Sequence, residues 1–234
     1  STALTSTTSS TFTITAAAGT TLVFGQQPTG TVAGASISPS PTVRIFDQFG
    51  NLTASTASVT VAIGTNPAGG TLSGTATAAA VNGTATFPGL SINKAGTGYT
   101  LTAASTGLTG TASSAFTITA ATASQLGFTS APFSGPQAAT ANLGPVTVQL
   151  QDQFGNAILA AGSITVALSK SGGGNGNAVF SSTLNGATVT SVTIAAGTSS
   201  VSFYFGYSKA TSALTLNAAA SGLTSAGQMQ GTIT

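Results

Sequence analysis

The pentapeptide DQFGN occurs twice, at residues 47–51 and 152–156, and contains the side chains best suited to chemistry. Asp47 and Asp152 are the only acidic residues of the 234-residue chain, which also has no histidine, cysteine or glutamate. General acid–base catalysis needs a second titratable group beside the first, and nucleophilic catalysis needs an activating base. Because the two aspartates fall in separate copies of a repeat, the sequence predicts a protein that is not an enzyme and that carries no cofactor.

The same pentapeptides contain oxygen ligands, so calcium binding is the stronger chemical alternative. Ca²⁺ takes six to eight oxygen ligands, usually with several carboxylates, whereas each pentapeptide offers one carboxylate. A turn explains the same residues: aspartate accepts backbone N–H bonds, glycine adopts positive φ, and asparagine bonds its own backbone. The sequence favours the turn, with Phe49 and Phe154 closing the end of the core. The weak calcium candidates are Asp47, Asn51, Asp152 and Asn156.

Charge and hydropathy exclude two further classes of function. The chain has only four cations and a net charge of +2, so it lacks the basic surface that neutralises a nucleic-acid backbone. No apolar run reaches the roughly 20 residues of a membrane-spanning helix. The glycine-rich stretch at 171–176 has no following GK[ST] and predicts a loop rather than a phosphate site. We expect neither nucleic acid nor membrane as a partner.

The elements that position these residues are repeated. Two copies of one unit run from 21 to 119 and from 125 to 234, separated by the five residues AATAS, and these limits are the predicted domain boundaries. The matching segments, in order, are TLVF 21–24 with QLGF 125–128, TVRIFDQFGN 42–51 with TVQLQDQFGN 147–156, SVTVAI 58–63 with SITVAL 163–168, and TGLTGTASSAFTIT 106–119 with SGLTSAGQMQGTIT 221–234.

Apolar residues alternate within each unit. Val59, Val61 and Ile63 alternate with Thr or Ala, and so do the matching residues of 163–168. A period of two places one side of a strand in a core and the other in solvent. With β-branched residues abundant and turn signals about every ten residues, each unit predicts an antiparallel β-sandwich of about seven strands.

The repeated segments resemble those of a known group of proteins. The order of TVRIFDQFGN, SVTVAI, GTATFPGLSI, AGTGYTLTAASTGLT and SSAFTIT is similar to the bacterial immunoglobulin-like repeats of large surface proteins, including invasin- and intimin-type adhesins. The resemblance implies two tandem immunoglobulin-like sandwiches in a secreted, extracellular or cell-surface rod. It specifies fold and repetition more closely than function.

Residues 4–15 repeat the end of a unit. LTSTTSSTFTIT matches LTGTASSAFTIT at 108–119, so Phe12 and Ile14 fall where Phe116 and Ile118 fall. Residues 1–15 therefore predict a spare terminal strand, a possible donor strand for β-strand addition to a neighbour. Completion of a preceding repeat is the alternative.

The low content of charged residues favours association of the chain with itself. Natural sheet edges are guarded by charged residues, yet only 3% of this chain is charged. We expect a structural subunit or segment of an extracellular fibre that associates with itself, with Phe12 and Ile14 in the inter-subunit strand. The alternative is a stalk or an adhesin module that binds a glycan or host receptor through the loop at 171–177 or through Tyr204 and Tyr207.

Overall fold

The computed structural model describes residues 6–234, and over this range every regular element is a β-strand. This confirms the predicted all-β class. None of the described residues forms a helix long and apolar enough to cross a lipid bilayer. The strands of the first half are β1 Gly19–Gln26, β2 Thr31–Val32, β3 Thr42–Asp47, β4 Ser58–Ile63, β5 Leu72–Ser73, β6 Thr77–Ala79, β7 Thr84–Thr86, β8 Ser91–Ile92, β9 Gly96–Tyr99, β10 Leu101–Ala104, β11 Thr111–Ala112 and β12 Phe116–Thr119. Those of the second half are β13 Gln125–Phe128, β14 Leu143–Gln151, β15 Ile164–Gly172, β16 Ala178–Ser181, β17 Ser191–Ile194, β18 Ser200–Tyr207, β19 Leu214–Ala219 and β20 Ala226–Met229.

The chain divides into two compact units. The first holds the described residues up to Thr31 together with Ala35–Ile92 and Gly96–Thr117. The second holds Ile118–Thr234 and also two short segments, Val32–Gly34 and Asn93–Ala95. The domain limits expected from the repeat, 21–119 and 125–234, stay predictions.

The first unit builds its main sheets in the orders β1-β3-β7 and β11-β10-β4-β6, all with antiparallel pairing. The predicted alternation holds in its strands. Val59 and Val61 of β4 are fully or nearly fully buried, and Leu101 and Ala103 of β10 lie opposite on the same face. Between them, Thr60 and Thr102 point to solvent.

The second unit is a sandwich of two four-stranded sheets, β13-β14-β18-β16 and β17-β15-β19-β20. One apolar core joins residues from both sheets, among them Val148, Val166, Phe203 and Leu216. Successive strands β14 and β15 lie in different sheets, as do β18 and β19. This is the crossover pattern of immunoglobulin-like sandwiches.

The N-terminal segment has no strand of its own. Residues 6–18 lie outside every assigned strand, and residues 1–5 of the predicted strand 1–15 lie outside the described residues. The side chains of Phe12 and Ile14 are 80% and 84% exposed. A strand forms only when a neighbouring edge accepts its backbone hydrogen bonds, so this segment has the sequence of a strand without the partner that would make it one.

Candidate interaction site

Both DQFGN segments fold as the predicted turn. One carboxylate oxygen of Asp47 accepts the backbone N–H groups of Phe49 and Asn51, each at 2.9 Å. Asp152 accepts those of Phe154 and Asn156 at the same distances. The glycine of each turn has the positive φ that a side chain would oppose, 82° at residue 50 and 76° at residue 155. The turns are thus built alike from the same five residue types.

The second oxygen of each aspartate ties in the segment that leads into the first strand of its unit. In the first turn Oδ2 accepts the N–H of Ala17 at 2.9 Å and the Asn51 side-chain amide at 3.1 Å. In the second turn the corresponding donors are Ala121 at 2.9 Å and Asn156 at 2.8 Å. Each carboxylate therefore accepts four N–H bonds, which uses the acceptor capacity that a cation would need.

These hydrogen bonds keep both aspartates ionised. Burial would raise the pKa of Asp47, but the N–H donors of Asn51, Ala17 and Phe49 outweigh it and lower the pKa to about 2. The pKa of Asp152 is lowered in the same way, with burial opposing and Asn156, Ala121 and Phe154 prevailing. Within residues 6–234 no three acidic, histidine or cysteine side chains converge on a possible metal position. The turn residues are therefore held by backbone donors, and calcium binding at Asp47, Asn51, Asp152 and Asn156 remains the weaker prediction.

The second turn is covered by a loop, and this contact was not expected from the sequence. Asn156, only 7% exposed, donates from its amide nitrogen to the carbonyl of Asn93 at 3.0 Å and accepts the N–H of Ala95 at 2.9 Å. The ammonium group of Lys94 donates to the carbonyl of Phe154. The segment Asn93–Ala95 thus closes over the turn with three hydrogen bonds.

The ring of Phe154 meets a glycine. A Cβ built on Gly34 would lie 2.3 Å from Cζ of Phe154, so only glycine lets the backbone approach the ring so closely. Phe154 is half-buried by this approach.

The first turn lacks such a cover. Phe49 is 73% exposed and Asn51 is exposed, although both have buried or half-buried counterparts in the second turn. The expectation that Phe49 closes the end of the core is therefore wrong. The turn points its aromatic side chain outward, and the ring is buried only where another segment packs on it.

The aromatic patch proposed for ligand binding is largely structural. Tyr207 is fully buried, its hydroxyl donates to the carbonyl of Gly173 at 2.9 Å, and the Lys170 ammonium lies 5.3 Å from the ring centroid. The expectation that Tyr207 faces solvent is wrong because Tyr207 lies on the same inward face of β18 as Phe203 and Phe205, and the glycine-rich loop accepts its hydroxyl. Only Tyr204 remains partly accessible.

The N-terminal segment repeats a buried pattern in an exposed place. Phe116 and Ile118 of β12 are 6% and 1% exposed, and Phe116 packs against Tyr99 with ring centroids 6.1 Å apart. Phe12 and Ile14 occupy the same positions in the matching segment 4–15, and both are exposed.

Comparison with known proteins identifies no family. No family model matches the chain, and no curated protein matches it. Among solved structures, domains 4–9 of surface layer protein SbsC align over 92% of this chain and 31% of their own, with 16% identity and a TM-score of 0.34. The D0–D1 domain of intimin aligns over 92% and 97%, with 13% identity and a TM-score of 0.32.

A third match is the Yersinia pseudotuberculosis adhesin InvE, over 91% of this chain and 58% of its own, with 16% identity and a TM-score of 0.33. Glycosidase structures also match. The chain spans less than a third of the SbsC structure. TM-scores this low carry no argument about function.

Proposed function

We propose that the chain is a non-enzymatic structural module of an extracellular or cell-surface fibre, in which the N-terminal segment of one copy adds as a β-strand to a second copy. One observation carries the proposal: Phe12 and Ile14 are 80% and 84% exposed, although their counterparts in β12 are buried. A segment with the pattern of a core strand gains hydrogen bonds and apolar burial only by pairing elsewhere.

The first unit offers no empty place for this strand, because β12 already holds Phe116 and Ile118 in the core. In the second unit Ile233 is 1% exposed and forms bridges to Gly135 and Thr211. The proposal therefore places the N-terminal segment on another molecule, at a sheet edge or by strand exchange, and completion of a preceding repeat is the alternative. The low charge of the chain supports this, because few charged side chains are present to keep edges apart.

Ligand binding has less support. Of the two tyrosines proposed to bind a glycan or receptor, Tyr207 is buried in the core, and Tyr204 alone offers only a small surface. The acid–base machinery of an enzyme is missing from the sequence, since each aspartate is ionised and bound to backbone donors in a separate turn.

The test is the double variant Phe12→Ser/Ile14→Ser. Burial of two such side chains stabilises a contact by about 3–6 kcal/mol, so we expect association to weaken at least about a hundredfold. The control is Val81→Ser/Leu184→Ser, which removes two other exposed apolar side chains, 71% and 57% exposed.

Sedimentation velocity over a concentration series, with electron microscopy of the concentrated samples, measures the outcome. The proposal expects wild type and control to form longer species and the Phe12/Ile14 variant to stay monomeric. Equal association of all three proteins, or a strictly monomeric wild type, would overturn it.

A further inference from the structure

The turn at 152–156 and the loop that packs on it each have a second copy elsewhere in the sequence. The turn is DQFGN at 152–156, repeated at 47–51. The loop is Asn93–Ala95, and its counterpart is Ser-Lys-Ala at 208–210.

The loop correspondence is continuous. Residues 90–108 align with 205–223 without a gap, and Lys94-Ala95 coincides with Lys209-Ala210. The residues before each loop, Ile92 and Tyr207, are both fully buried. Leu101 and Leu216, which follow the loops in β10 and β19, are fully buried as well. Each loop therefore leaves and re-enters the core at equivalent points.

The repeated turn at 47–51 and the repeated loop at 208–210 are not covered by another segment among the described residues. Phe49 is 73% exposed and Asn51 is exposed, and the three residues 208–210 are all exposed. Asn93–Ala95, by contrast, is half-buried where it meets the second turn. Within residues 6–234 the N–H of Ala210 and the carbonyl of Ser208 have no hydrogen-bond partner.

We propose that the loop at 208–210 of one copy docks on the turn at 47–51 of a second copy, as Asn93–Ala95 docks on the turn at 152–156. The inference rests on the proposed self-association and gives it a second contact. Asn51 accepts the N–H of Ala210 and donates to the carbonyl of Ser208. The ammonium group of Lys209 donates to the carbonyl of Phe49, whose ring is covered in the contact.

Docking would replace few of the hydrogen bonds that these residues already make. Lys209 donates to Asn175 Oδ1 at 2.6 Å in the isolated chain and would leave this exposed partner. Asn51 keeps its bond to Asp47, since Asn156 holds Asp152 and the loop at the same time. The contact joins two different surfaces, the loop at 208–210 of one copy and the turn at 47–51 of the other. In a dimer, the first copy therefore keeps a free turn and the second keeps a free loop. Such a heterologous contact extends into a filament unless its rotation closes a ring.

The test uses the full-length chain with Phe49→Ser on the turn side and Lys209→Ala on the loop side. Each change removes one half of the contact, and we expect each variant alone to associate at least about tenfold more weakly than wild type. The controls are Leu159→Ser, another exposed apolar side chain, and Arg44→Ala, an exposed cation whose loss changes the net charge equally.

Mixing provides the decisive measurement. Phe49→Ser keeps an intact loop and Lys209→Ala keeps an intact turn, so an equimolar mixture regains one wild-type contact. We expect dimers to form in sedimentation velocity from the mixture at concentrations where either variant alone associates more weakly. Wild-type association by both variants, or a mixture no more associated than its components, would overturn the inference.

The N-terminal variant separates this inference from the proposed function. If Phe12→Ser/Ile14→Ser prevents association while Phe49→Ser and Lys209→Ala associate as wild type does, the strand proposal stands and the turn contact is wrong. If the mixture forms dimers while the N-terminal variant associates normally, the reverse holds.

Discussion

Replacing Asp152 by asparagine tests whether the aspartate stabilises its unit through backbone hydrogen bonds. The substitution preserves size and leaves one oxygen, which still accepts the N–H groups of Phe154 and Asn156. The other carboxylate oxygen becomes an NH₂ group. It then faces two donors, the Ala121 N–H and the Asn156 side-chain amide, that were bonded at 2.9 and 2.8 Å.

The structure sets the size of the effect. A hydrogen bond to a charged group contributes about 1.5–3 kcal/mol. Two such bonds are lost, and the one to Ala121 is only partly buried, so its value lies at the low end. We expect the free energy of unfolding of the second unit to fall by about 3 kcal/mol. This is a large part of the 5–15 kcal/mol typical of a whole domain.

The assay is native-state hydrogen exchange in increasing urea, read on peptides from β14, β15 and β19. Peptides of the second unit report its own stability, and peptides from β3 and β4 serve as an internal reference. The neighbouring exposed residue provides a control, since Gln153→Ala should change stability by no more than about 0.5 kcal/mol. A change that small for Asp152→Asn would refute the view that these hydrogen bonds hold the turn.

Two further predictions concern the same carboxylates. Their pKa values are lower in the folded than in the unfolded chain, where aspartate titrates near 3.9, so their stabilising effect is complete above about pH 5 and lost as the pH falls through the lowered pKa values, about 2 for Asp47. Urea unfolding at pH 7, 4 and 2, followed by circular dichroism, should show a constant midpoint above pH 5 and a fall below pH 4; a midpoint that rises on acidification would contradict this. Calcium should not stabilise the chain, because backbone donors already occupy all four carboxylate oxygens. A calorimetric Tm that rises by several degrees in millimolar CaCl₂ and returns with EDTA would establish a site at Asp47, Asn51, Asp152 or Asn156 instead.

The sequence pattern correctly predicts those structural features that depend on residues close together in the chain. The alternation of Val59 with Val61 placed β4 correctly, and Asp47 with Gly50 fixed the turn type, because period-two burial and positive φ act over a few residues. The repeat then carried both conclusions to the second unit.

Two expectations about side-chain exposure were wrong, one because the local alternation was not followed and one because a distant segment decides the outcome. The expectation of a solvent-exposed Tyr207 was wrong because a period of two in β18 places it on the inward face with Phe203 and Phe205, where its hydroxyl bonds to the loop at 171–176. Phe49 is an apolar residue that composition places inside, yet its turn points it outward. In the identical second turn the ring of Phe154 is covered by Gly34, which is distant in sequence, so the pentapeptide alone does not set the exposure of its aromatic residue.

Phe49 and Phe154 differ in exposure although their turns have the same sequence, and this contrast supports the proposed contact with a second copy. The two pentapeptides are identical, and their aspartates accept equivalent sets of four hydrogen bonds. Only the segments packed against them differ. Asn93–Ala95 and Gly34 cover the second turn, so its aromatic ring and amide are satisfied within one chain. We propose that a second copy covers the turn at 47–51, as segments of the chain itself cover the turn at 152–156. The segment that holds Phe12 and Ile14 reaches the same turn, because Ala17 is bonded to Asp47. Both proposed contacts therefore involve residues near this turn.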